Sequence, residues 1–181
     1  MNLRLITAPT VEPVSLATAK AFLRVDGADE DALIHALIKA AREKGEELSR
    51  RAFITQTWEM IIDGWSRDYQ LKLYRPPLQS VTSVKYIDAD GAEHTWSDYV
   101  VDTRSEPGVV LFYSYPSDSL VKSGAITIRF VAGYGDAETN VPERIKQAIL
   151  SLVAYWYENR EGQNVPADLK NTFVSERAIW F

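Results

Sequence analysis

Cysteine is absent from the 181 residues. That excludes disulfides, thiolate zinc sites and cysteine nucleophiles, and it agrees with a reducing compartment. Histidine is nearly absent: only His35 and His94 are available for imidazole chemistry. Neither stands in an HExxH pattern or beside a nucleophile motif, and both read as surface residues. No stretch approaches 18 apolar residues, so no membrane-crossing helix is expected. The opening MNLRLITAPTVEP lacks the apolar run and small-residue cleavage site of a signal peptide. The expectation is a product that stays in the cytosol of the cell that makes it. An excess of positive charge is missing too: the net charge is −5, with acidic and basic residues interspersed. No basic face is left to neutralise phosphates, which argues against a DNA-binding module. Internal repeats and low-complexity runs are absent as well.

What is present suffices for a core. Hydrophobic residues make up 46% of a length that suits one domain, or a domain with a sizeable insertion, with no metal or cofactor needed as a staple. Ser15 is placed to cap a short helix in which Leu16, Ala19, Phe22 and Leu23 fall at helical spacing, and Gly27 is expected to end it. Asp29 is expected to cap a second, longer helix. On a 100° wheel, Leu33, Ile34, Leu37, Ile38, Ala40, Ala41 and Leu48 share one arc, while His35, Lys39, Arg42, Glu43 and Glu46 lie opposite. Gly45 lies inside the apolar arc, where it costs about 1 kcal/mol relative to Ala. Close approach of another backbone at a helix crossing would justify it.

From residue 53 to residue 132 the period switches to two. Ile54, Trp58, Met60 and Ile62 alternate with Thr55, Thr57 and Glu59, and Leu71 and Leu73 alternate with Gln70 and Lys72. Pro76-Pro77 must stand at an edge or corner. Asp88-Ala89-Asp90-Gly91 reads as a hairpin turn, and Glu106-Pro107-Gly108 as a second turn. Ile126, Ile128, Phe130 and Ala132 form one face of a strong strand. About seven strands are expected in this insertion, between two N-terminal helices and one C-terminal helix that begins at Pro142 and ends at Gly162. The fold class is therefore α+β: a small helical bundle, an inserted β-rich subdomain and an extended C-terminal tail.

Several suggestive patterns have simpler readings. Asp88 opens like an EF-hand, but positions six and twelve hold Glu93 and Tyr99 instead of Gly and Glu, so calcium is not expected. Asp26, Asp29, Glu30 and Asp31 serve as cap and first-turn residues favoured by the helix dipole, without a metal. Gly133-Tyr134-Gly135 lacks the third Gly and the Lys of a phosphate loop, and Asp136 and Glu138 would repel phosphate. The aromatics are harder to absorb. Tyr155, Trp156 and Tyr157 are successive helical residues, so they span about 200° and cannot share one buried face. At least one ring is expected to meet something beyond its own core, at an interface between subunits. The tail, 163–181, has no regular period but carries Val165, Leu169, Phe173, Val174, Ile179, Trp180 and Phe181, too apolar a set for solvated chain.

Five blocks in order carry a resemblance: Pro13-Val14-Ser15-Leu16 with Leu23-Arg24-Val25-Asp26, then Ile54-Thr55-Gln56-Thr57-Trp58, then Arg75-Pro76-Pro77-Leu78-Gln79-Ser80-Val81, then FVAGYGDAETNVPERIKQAILSLVAYWYENREG over 130–162. Together they resemble the head-tail connector proteins (adaptor, head-completion) of tailed phages, prophages and gene-transfer agents. The resemblance implies a single connector domain over 1–162, with helices at about 15–51 and 142–161, a β-rich insertion at about 53–132, and a docking tail at 163–181. It implies a structural subunit without catalysis, in a ring of about twelve copies under the capsid portal. The ring extends the DNA channel and carries the stopper or tail-completion protein, in the virion neck, after synthesis in the host bacterial cytoplasm. Isolated subunits of this kind can be monomers until a portal templates them. Portal docking falls to the tail residues Val165, Leu169, Phe173, Val174, Ile179, Trp180 and Phe181. Deleting the tail is then expected to abolish attachment and leave the fold largely unchanged.

The charge balance fits a conduit, since an acidic or mixed lumen lets DNA slide where a basic one would grip it. DNA is expected to pass without specific binding. Rival readings are another neck role such as stopper or tail-completion protein, a small metal-dependent hydrolase using carboxylates, and a DNA-binding packaging factor.

Overall fold

The computed structural model describes residues 1–159 and 164–178. The chain divides into two compact units, one of Met1–Ala8 and Thr55–Gly133, the other of Pro9–Ile54 and the described residues from Tyr134 on.

Among the described residues the first unit holds eight strands: β1 (Asn2–Thr7), β2 (Gln56–Ile62), β3 (Gln70–Leu73), β4 (Leu78–Ile87), β5 (Glu93–Trp96), β6 (Tyr99–Asp102), β7 (Gly108–Phe112) and β8 (Ile126–Ala132). All pair antiparallel, in a five-stranded sheet ordered β1-β2-β8-β4-β5 and a three-stranded sheet ordered β3-β7-β6. Side-chain alternation builds the core between them. On β8 the expected face, Ile126, Ile128, Phe130 and Ala132, is buried. Met60 and Trp58 of β2 stand opposite Ile128 and Phe130 in register, and Val84 of β4 meets Ile128 from the other side. Burying each such side chain is worth roughly 1.5–3 kcal/mol. The Asp88 hairpin turn forms between β4 and β5, with Gly91 at φ 87°, a value an L side chain rarely adopts. Leu78 packs directly on Gly108, where an added Cβ would sit 2.4 Å from the Leu78 Cδ2. β1 is new relative to the sequence reading, which recognised period-two order only from residue 53 on.

The second unit holds α1 (Leu16–Leu23), α2 (Asp31–Ser49), a 3₁₀ turn at Glu138–Asn140, α3 (Glu143–Glu158) and α4 (Ala167–Ser175). Ser15 caps α1 as expected, its Oγ accepting the Thr18 N–H at 3.2 Å. The helix ends earlier than Gly27, because Arg24 takes the left-handed conformation and donates its N–H to the carbonyls of Ala21 and Lys20. Asp29 is not the cap of α2. Glu30 holds that position without a side-chain cap, and the first-turn Asp31 is instead met by Lys20 Nζ at 2.5 Å. α3 follows Pro142, and its last helical residue is Glu158, with the Asn159 N–H returning to the Tyr155 carbonyl. Gly162, the expected terminator, lies outside the described residues.

The tail differs from its expected extended form. It contains α4, and Phe173 of that helix is fully buried in the same core as Ile34, Ile38, Phe53, Ile149 and Leu152. The reason lies at Gly45. A Cβ there would stand 2.7 Å from Phe173 and 2.8 Å from Phe53, and those two rings stack with centroids 6.4 Å apart. The glycine does mark a crossing between helices, α2 with α4, but aromatic rings take the space and not a backbone.

Candidate functional site

Trp156 is buried, and its indole N–H donates to the Asn164 carbonyl at 3.0 Å. Tyr155 and Tyr157 are half-buried against the same helical core, and the Tyr157 hydroxyl donates to Glu30 at 2.5 Å. The wheel argument assumed that α3 buries one face. In fact α1, α2 and α4 all pack on it, so rings pointing in several directions find cover inside their own subunit. Only the exposed remainders of Tyr155 and Tyr157 are left for a neighbour.

The tail residues are divided in the same way. Val165 and Leu169 pack against the helical core, and Phe173 lies within it. Beyond α4 the strap continues: the Ala178 N–H donates to the Ser49 carbonyl at 3.0 Å, Arg51 Nε donates to the Glu176 carbonyl at 2.5 Å, and Arg144 meets Glu176 at 3.1 Å. Val174 is 38% exposed. Ile179, Trp180 and Phe181 lie outside the described residues.

Two charge clusters, each built round a buried side chain, went unread in the sequence. Arg42 and Glu46, expected on the polar arc of α2, are 3% and 6% exposed. Glu12, from the segment before α1, reaches over to accept from Arg42 Nε at 2.7 Å, and Glu46 accepts from Nη1 at 2.9 Å. The other oxygen of Glu46 takes the Phe53 N–H at 2.8 Å. Burial alone would lower the Arg42 pKa, but the bond to Glu12 and the charges of Glu46 and Glu12 more than offset it, so the pKa rises. In the β unit, Arg4, Glu59 and Arg129 stand side by side across β1, β2 and β8. Arg4 donates to one oxygen of Glu59 at 2.6 Å, and Arg129 to the other at 2.9 and 2.5 Å. Burial would raise the Glu59 pKa, and the two guanidinium groups outweigh it and hold the carboxyl below its ordinary range.

The β unit also gathers much of the aromatic content. Tyr69 stacks on Tyr115 at 4.5 Å, Tyr115 on Trp65 at 4.9 Å, and Trp65 meets Phe112 edge-on at 5.3 Å. Tyr86 stacks on His94 at 5.0 Å. A hydrogen bond to Asp118, with burial and the charges of Asp118 and Asp88, pushes the Tyr86 hydroxyl up to about 12. The turn residue Asp88 accepts from the N–H groups of Asp90 and Ala92 and meets His94 Nε2 at 2.7 Å. His94 is therefore half-buried and engaged, while His35 is exposed. Asp88 is satisfied as a turn cap. At Gly135, with φ 152°, the Asn140 side chain fills the space where a phosphate-loop reading would need an opening. Among the described residues there is no group of three or more His, Asp or Glu arranged to hold a metal ion, and no helix is long and apolar enough to cross a membrane.

The sequence profile of head completion proteins matches residues 13–167, and the chain belongs to that family. No curated protein matches it. Among solved structures, the chain is similar to a component of the neck of an empty gene-transfer-agent particle computed with C6 symmetry, at 22% identity and a TM-score of 0.84, over 100% of this chain and 97% of the other. A component of the native gene-transfer-agent virion shares 21% identity at a TM-score of 0.84, with the same shares covered. One from the native neck computed with C12 symmetry shares 22% identity at a TM-score of 0.76, again over 100% and 97%. These likenesses establish a common fold.

Proposed function

We propose that this chain is the head-tail connector subunit of a tailed-phage-like particle. It sits in the virion neck, beneath the portal, in a ring of about twelve copies that carries DNA from head to tail. The observation that supports this reading most directly is the head completion match over 13–167. The full-length likeness to neck components of gene-transfer agents, solved with six- and twelve-fold symmetry, agrees with it. The work is structural: the subunit supplies surfaces and a passage. Its partners are the portal on one side and a stopper or tail-completion protein on the other.

Portal docking falls to the part of the tail that the subunit does not use for its own core. Among the described tail residues that leaves the exposed Val174, while Val165, Leu169 and Phe173 hold the strap in place; Ile179, Trp180 and Phe181 are assigned to docking on the apolar character of their sequence alone. Contact between ring neighbours includes the open sides of Tyr155 and Tyr157. Removing the gene tests the role. The expected product is DNA-filled heads without tails, restored by supplying the protein in trans. Normal tailed particles in its absence would refute the assignment.

A further inference from the structure

Trp65 and Tyr69, from the loop after β2, and Tyr115, from the loop after β7, form a stack in the β unit. Their order is Trp65, Tyr115, Tyr69, with centroids 4.9 and 4.5 Å apart and planes within 18° and 6° of parallel. Tyr69 closes the stack and is 49% exposed. Its φ is 55°, in the left-handed region where a bulky residue is an outlier and where Gly or Asn would sit at less cost. The Tyr69 carbonyl accepts the Phe112 N–H at 2.8 Å, a bond that any residue could make. One half-exposed stacked ring returns less than such a conformation costs. Strain kept under an exposed ring calls for a use of the ring itself.

The surroundings decide what the ring can take. One face lies on Tyr115, which leaves the other for a flat group from outside. Asp68, next to it in the chain, is exposed and has no ion-pair partner among the described residues. Burial, then the charges of Tyr69 and Asp68, push the Tyr115 hydroxyl up, and Arg67 is not among the charges acting there. An aromatic face with an unpaired carboxylate beside it suits a guanidinium, which lies flat on a ring and offers N–H groups in its own plane. A lysine ammonium would meet the charge without the stacking. A nucleic-acid base would stack, but its phosphates would meet Asp68. A second copy of this chain sets a net −5 against −5, whereas a basic segment of another protein is drawn in.

We infer that the outer face of Tyr69, together with Asp68, is a docking point for an arginine on a basic segment of another neck protein. The inference rests on the connector reading above. The arginine adds a fourth layer to the stack, and the Asp68 carboxylate accepts from its N–H groups. Tyr115 and Trp65 hold the platform from behind, and the Tyr115 hydroxyl is fixed by donating to the Ser66 carbonyl at 2.6 Å.

Full-length protein with p-azidophenylalanine in place of Tyr69 is assembled into particles and irradiated, and the cross-linked peptides are sequenced. The expected product joins position 69 to another neck protein within about three residues, roughly 10 Å of chain, of an arginine. A product with a second copy, with DNA or with a segment lacking arginine overturns the inference but leaves the connector role intact. So do normally tailed particles that give no cross-link. Natural protein that never enters necks would remove both. A second measurement needs no label. Tyr69→Asn keeps a residue suited to the left-handed turn and removes the ring, and Asp68→Asn removes only the charge. Each is expected to cut the yield of tailed particles by about tenfold or more with unchanged thermal melting, while Tyr69→Phe, which keeps the ring, retains the yield. Should Tyr69→Asn melt early, the surface change Asp68→Asn decides, and full yield from it sinks the inference.

Discussion

Gly45 carries a clear single-residue prediction. In a helix, Gly→Ala ordinarily gains about 1 kcal/mol, yet at this position the new methyl would press on Phe173 and Phe53 at under 3 Å. Overpacking costs about 1–3 kcal/mol, so Gly45→Ala is expected to destabilise, read as a lower midpoint in chemical denaturation; a raised midpoint would mean the rings move aside at no cost. Glu46→Ala leaves the buried Arg42 with one strong partner fewer and the Phe53 N–H unsatisfied. Breaking such a buried pair costs about 3–5 kcal/mol. Glu59 gives a pH dependence. Its folded-state pKa lies below the ordinary 4.5, so its contribution is fully present above that value and is lost as pH falls through the lower folded value. The stability gap between the natural protein and Glu59→Gln should be widest at neutral pH and close on acidification below about 4.5. A gap independent of pH would show that Glu59 acts by packing alone. Gly45 was legible in the sequence as a crossing point, but neither Glu46 nor Glu59 announced itself as part of a network. Their partners are distant in the chain, Glu12 thirty positions from Arg42 and Arg129 seventy from Glu59, and no local period encodes them.

At the scale of elements, α4 changes what the tail does. A nine-residue helix with Phe173 at the centre of the helical core is part of the fold, so removing 164–181 should lower the melting temperature, contrary to the expectation from pattern alone. Phe173→Ala by itself should cost about 3–5 kcal/mol, while Val174→Asp should leave melting unchanged and weaken attachment to portal-bearing heads. If Val174→Asp heads fill and join tails normally, the outer side of α4 has no part in docking. The strap escaped pattern analysis because α4 presents only a narrow apolar stripe and starts without a side-chain cap, where the still shorter α1 has Ser15 to mark it. β1 escaped for a related reason: six residues with two alternating leucines are too few to stand out until β2 pairs with them. By contrast, β8 and α3 were legible because each carries a full apolar face over many residues.

For the whole molecule, the decisive quantity is charge. A net −5, with Arg4, Arg42 and Arg129 already paired to carboxylates, argues against a phosphate-holding face, so the protein is expected to show no salt-sensitive, nanomolar affinity for duplex DNA at physiological salt. Fluorescence anisotropy with a labelled duplex measures this directly. Tight binding that falls steeply with added salt would favour a packaging factor over a conduit.

Sequence alone determined the fold class, the positions of most strands and of the helices α1, α2 and α3, the Ser15 cap, the hairpin turn at Asp88 and the family. These follow from local periodicity, capping chemistry and ordered blocks of residues, all of which act over short distances along the chain. Tertiary structure alone decided that Arg42 and Glu46 go inside, that α3 is covered on several sides, that the tail folds back through Phe173 onto Gly45, and which sheet edges stay open. Each of those depends on a partner far away in sequence. Burial is a property of what arrives from elsewhere, and a pattern read along one element records only the face that element was built to hide.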